Sequence, residues 1–125
     1  MQDYRKLIAW QRAHALAVDV HRTARGGGRG GVPGLRAQIL RSAAAIPANI
    51  AEGCGRRTNA DLARFLDIAL GSLVELDYHL LLARDVGLLA RAAHARLETD
   101  VQEVRRLLIA LLRRVRMRDA GVSDE

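Results

Sequence analysis

The sequence predicts an all-α fold, an antiparallel four-helix bundle, on three observations. Hydrophobic residues make up 50% of the chain but aromatics only 3%, so the core must come from Leu, Ala, Val and Ile. Leu and Ala favour helix, and no stretch alternates apolar and polar residues as a half-buried strand does. Apolar residues recur instead at steps of three and four, in long runs broken at glycine-bearing joints. At 125 residues the chain is one domain, 1–125, with a core but little surplus area.

The first helix is expected over residues 5–24, where Leu7, Trp10, His14, Ala17, His21 and Ala24 form a stripe. RGGGRGGVPG at 25–34 holds six glycines and a proline, a flexible connection. The second helix spans 35–52, with Leu35, Ile39, Ile46 and Ile50 on its apolar side and Ala43, Ala44 and Ala45 permitting close approach. The third spans 59–85: Thr58-Asn59-Ala60-Asp61 fits a capping box, with Asn59 as the other choice of cap. Leu62, Leu66, Ala69, Leu73, Leu76 and Leu80 then recur until Asp85-Val86-Gly87 stops the helix. Gly71, inside this helix, is expected to admit a neighbouring helix near 43–51. The fourth spans 91–118 on Leu97, Val101, Val104, Leu108, Leu111 and Val115. Heptad-like spacing and short joints favour shallow, antiparallel packing. Leu107, Leu108, Ile109, Leu111 and Leu112 exceed what one facing stripe needs, which raises oligomerisation.

Composition excludes several classes. Cys54 is the only cysteine, so there is neither an internal disulfide nor a cysteine-based metal cage. MQDYRKLIAW lacks the long apolar stretch of a secretory signal, and Arg84 and Asp85 interrupt LLLARDVGLLA well short of a bilayer span. A cytoplasmic protein without a membrane partner is the expectation. The formal charge is +6, from 20 Lys and Arg against 14 Asp and Glu, and Lys6 is the only lysine. Guanidinium suits phosphate because its planar donors bond in pairs.

AIPANIAEGCGRR at 45–57 resembles a phosphate loop only superficially. A P-loop needs Gly-x-x-x-x-Gly-Lys and a strand before it, and GCGRR has neither. A helical corner accounts for it: Gly53 closes the second helix at positive φ, and Gly55 lets the chain reverse. Asn49 and Glu52 share a side, and Arg56 or Arg57 returns to Glu52 or stays exposed.

DYRKLIAWQRAHALAVDV at 3–20, GLRAQILRSAAAIPANIAEGCGR at 34–56 and RFLDIALGSLVEL at 64–76 resemble the four helix bundle protein family, also called the 23S rRNA intervening-sequence-encoded proteins. The resemblance runs from residue 3 to about 115. Its matching positions include Leu7, Trp10, Gln38, Asn49, Glu52, Gly53, Gly55, Arg56, Phe65, Gly71, Ser72 and Glu75. The chain departs from the pattern in RGGGRGGVP and at Ala45, where serine is frequent. The resemblance implies a small bundle assembled as a homopentamer, without an established enzymatic activity. A related group, the accessory variability proteins of diversity-generating retroelements, pairs the same architecture with nucleic-acid binding, though no retroelement-specific signature occurs here.

Chemistry is absent from the motifs. Ser72, Glu75 and His79 share a helical face, but Ser72 and His79 lie about 10 Å apart along the axis with the acid between them. His14 and His21 lack zinc-helix spacing and read as packing positions; with His94 they could meet only through tertiary or intersubunit convergence. No cofactor is expected. Tyr4, Trp10 and Tyr78 are too scattered for a base-stacking platform, so any nucleic-acid binding must be led by phosphate. The candidate contacts are Arg105, Arg106, Arg113, Arg114, Arg116 and Arg118 near the C-terminus, with Arg56 and Arg57 at the corner. Basic residues there also complement the helix dipole. Asn49, Glu52, Gly53, Gly55, Arg56, Gly71, Ser72 and Glu75 form the structural or partner-facing motif. The expected function is a non-enzymatic oligomeric module that binds RNA or DNA, or a nucleic-acid-processing protein. The alternative is an oligomeric scaffold or adaptor without a nucleic-acid role.

Overall fold

A computed structural model describes residues 2–25 and 34–121; residues 26–33 of the predicted flexible connection lie outside the described residues. A single 3-10 turn, Tyr4–Lys6, precedes four helices: α1 (Ile8–Arg25), α2 (Leu35–Cys54), α3 (Asn59–Asp85) and α4 (Arg91–Asp119). No strand occurs among the described residues, and no helix is long and apolar enough to cross a membrane.

Consecutive helices pack together and α1 closes against α4, while the backbones of the diagonal pairs stay further apart. Cross-helix ion pairs give the direction of packing. Arg12 meets Glu103 at 3.5 Å, and Asp19 meets Arg96 at 3.3 Å, so residue numbers rise along α1 as they fall along α4. The core is aliphatic, as the composition requires: the predicted stripes of α2, α3 and α4 are all buried.

Several features of the sequence reading are corrected. The first helix is not continuous from residue 5. Asp3 accepts from the Arg5 amide at 3.1 Å and caps a separate turn, and Leu7 is extended before α1 begins. Its buried face also differs. Ala9, Ala13, Leu16, Ala17 and Val20 enter the core, while His14 and His21 are exposed. Both sets obey helical spacing, but the small side chains at Ala9 and Ala13 let neighbouring helices approach. Trp10 is left on the flank, half-buried and stacked on His14 with centroids 4.9 Å apart.

The third correction concerns glycine. Gly71 does not admit a neighbouring helix near 43–51: a Cβ there would meet nothing within 4 Å. Gly53 holds that role. Its Cβ would stand 2.9 Å from Leu62 Cδ1 and 2.9 Å from Phe65 Cβ, where α2 and α3 converge. Gly53 remains helical, since positive φ among the described residues is confined to Gly34, Gly87 and Gly121.

The apolar surplus lies elsewhere than expected. On α4, Leu108, Leu111 and Leu112 are buried and Leu107 and Ile109 half-buried. The exposed apolar residues concentrate on α3: Ile68, Val74, Tyr78 and Leu81.

Candidate nucleic-acid interface

The corner between α2 and α3 is built from its own side chains. The Gly55 amide donates to the Glu52 carbonyl at 3.1 Å and the Arg56 amide to the Gly53 carbonyl at 3.0 Å, closing α2. Thr58, not Asn59, caps α3: its Oγ1 accepts from the Asp61 amide at 3.1 Å. Asn49 is half-buried and donates to the Ala45 carbonyl of its own helix at 2.8 Å.

Arg56 is the corner's tie. It bonds Glu52 at 3.0 Å, approaches Asp61 at 3.8 Å and sets its guanidinium 4.6 Å from the Phe65 ring centre. Arg64 covers the same ring at 4.5 Å and bonds Asp61 at 3.0 Å. Two cations thus shield one large aromatic side chain at the bundle's edge. Sequence reasoning misses Arg64 because its relation to Phe65 and Asp61 emerges only after α3 is capped.

The corner lies at the same end of the bundle as the C-terminus of α4. A polar depression of about 310 Å³ is lined there by residues including Arg56, Arg57, Thr58, Asn59 and Arg118. The two basic segments, remote in sequence, therefore meet. Their members are not equivalent. Arg116 pairs with Asp67 and Arg56 is engaged as above. Arg57, Arg105, Arg106, Arg113 and Arg114 are exposed and have no acidic partner among the described residues. At 100° per residue, Arg106 and Arg113 share the outward line of α4, whereas Arg114 turns towards the α1 side and Arg105 towards α3. The arginines form a belt around this half of α4, not one compact cluster.

Cys54 lines the depression but is buried, and burial is the main cause that raises its thiol pKa. It is accordingly a poor nucleophile. Ser72, Glu75 and His79 do not assemble a relay. Glu75 stands 4.0 Å from His79 Nδ1, and that buried nitrogen has no hydrogen-bond partner. His21 contacts the Ala17 carbonyl of its own helix at 2.8 Å, and His94 lies 3.5 Å from Glu98. Among the described residues no three His, Cys, Asp or Glu gather where they could hold a metal ion.

These features define a small basic helical-bundle protein with an arginine-rich end. The chain belongs to the family described as 23S rRNA-intervening sequence protein, which it matches over residues 5–110. It is also similar to a solved structure from Bacteroides thetaiotaomicron VPI-5482, a protein with unknown function from the S23 ribosomal protein family. The two are 27% identical with a TM-score of 0.77, over 84% of this chain and 98% of that one. No curated protein matches the chain. The family match gives no support to a link with the accessory variability proteins.

Proposed function

We propose that the protein is a non-enzymatic oligomeric module, a homopentamer, that holds nucleic acid by its phosphates at the arginine-rich end. The observation that carries this reading is the set of exposed arginines, Arg57, Arg113 and Arg114, without acidic partners among the described residues, at the end that Arg118 also lines. A guanidinium already paired with a carboxylate has its charge offset and some of its donors taken; these three have no such pair among the described residues. Each copy in an assembly repeats the set, so phosphate attraction adds across subunits. The resemblance to pentameric bundles and the exposed apolar face of α3 support the assembly.

Changing Arg57, Arg113, Arg114 and Arg118 together to Gln tests the site by fluorescence anisotropy with RNA and duplex DNA at several salt concentrations. The expected result is weaker binding to both. The salt dependence flattens by ~0.9 in log–log slope for each duplex phosphate that the variant no longer neutralises. Unchanged affinity in a folded variant overturns the site. The adaptor reading draws on the same exposed face of α3, and gains if the wild-type protein retains neither RNA nor DNA at low salt.

A further inference from the structure

The subunit leaves two apolar surfaces uncovered, on different sides of the bundle. One is a ridge along the outward face of α3, where Ile68, Val74, Tyr78 and Leu81 are 42%, 59%, 58% and 38% exposed. The other is a groove of about 860 Å³ between α1 and α2. Leu40, Ala44, Pro47 and Ala48 contribute one side of the groove, with Trp10 and His14 on the other. Exposed apolar side chains gathered on one side of a helix or in one groove mark a candidate interaction site.

Charge and length match the two surfaces to each other. Residues 65–83, which carry the ridge, include Glu75 and Asp77, besides the Asp67 that pairs with Arg116 of α4, and no lysine or arginine. The groove reverses this pattern: Arg22 and Arg36 line it and no carboxylate does. At 1.5 Å per residue, Ile68 to Leu81 spans about 20 Å and the α1 side of the groove from Trp10 to Ala24 about 21 Å. Along the groove the α2 side is small at Ala44, Ala48 and Ala51, which leaves room for the larger ridge side chains.

We propose that the α3 ridge of one copy seats in the α1–α2 groove of the next. This rests on the reading of the protein as a homo-oligomer and adds which surfaces meet. Because α1 and α3 are diagonal in the bundle, ridge and groove open in different directions. The contact is therefore head-to-tail. Repeated contacts of that type generate a ring when the rotation closes, whereas a two-fold pair needs one self-complementary patch. Trp10 supplies the aromatic anchor, and the acidic ridge against the basic groove fixes orientation and discourages ridge-to-ridge pairing.

Replacing Tyr78 with the photocrosslinker p-benzoylphenylalanine tests the contact without assuming a register. Irradiation of the assembled protein is expected to give subunit-to-subunit products whose second site maps to residues 10–22 or 36–51. A second site within 64–81, or no product between copies in a protein shown by light scattering to be assembled, overturns this contact and leaves the oligomer reading standing. A monomeric wild-type mass overturns both. Independently, Ala48→Arg is expected to bring the mass down to one subunit while helical circular dichroism persists; a folded Ala48→Arg variant that remains assembled contradicts the proposal. If Ala48→Arg does not fold, the crosslink decides.

Discussion

The α2–α3 corner and the outer face of α3 both carry residues of the family pattern, and they put them to opposite uses. At the corner, Gly53 is pressed between helices, Thr58 caps α3, and Arg56 ties Glu52, Asp61 and Phe65. Each of these residues is accounted for inside one subunit. On the outer face, Gly71 has open space around its Cα, Val74 and Tyr78 are exposed, and Glu75 falls short of a hydrogen bond to His79. Gly71, Val74, Glu75 and Tyr78 are all exposed. The difference separates residues tied into the bundle from residues left on its surface.

The sharpest way to break that separation is at the two helical glycines. Gly53→Ala places a methyl against the Phe65 Cβ, which is fixed to the backbone and cannot swing aside. It should destabilise by ~1–3 kcal/mol as overpacking does, read from urea unfolding, and Gly53→Leu should lose more. Thr58→Ala removes the α3 cap and should cost ~1 kcal/mol in the same measurement. Gly71→Ala should have the opposite sign. With nothing to clash against, helix propensity adds ~0.5–1 kcal/mol to the stability of dilute protein. A loss at Gly71 as large as that at Gly53 would erase the distinction.

A smaller effect is expected on the α1–α4 side. Burial, then the charges of Asp19 and Glu103, raise the Asp100 pKa, with Arg96 and Arg12 opposing. A carboxyl raised on folding favours the protonated folded state. That contribution is complete below the unfolded pKa and is lost as pH rises through the folded one. Asp100→Asn should therefore stabilise the protein at neutral pH, within the ~0.5 kcal/mol usual for surface changes. The gain should vanish in acid, below the ordinary carboxylate range, and thermal unfolding at both pH values checks it.

The long helices were legible because α3 and α4 each offer one dominant stripe, and Leu62 through Leu80 and Leu97 through Val115 are buried as their spacing predicts. In α1, two stripes satisfy the same periodicity. The choice between them depends on how closely neighbours approach Ala9 and Ala13, which periodicity does not contain. Gly53 and Gly71 fail for a related reason: both sit in helices, and only the tertiary neighbours tell a crowded glycine from an open one. The arginines were found by composition, but their pairing was not. Asp67 reaches Arg116 across two helices, and the meeting of Arg118 with Arg57 depends on the bundle's topology.

The separation between the two regions stands or falls on whether the outer face of α3 meets another copy. The first requirement is that copies assemble, which light scattering of the wild-type protein across a dilution series tests most directly. The account predicts a mass of about 68 kDa, five times the 13.7 kDa chain, held through the micromolar range. A sharp 13.7 kDa species at those concentrations would contradict it.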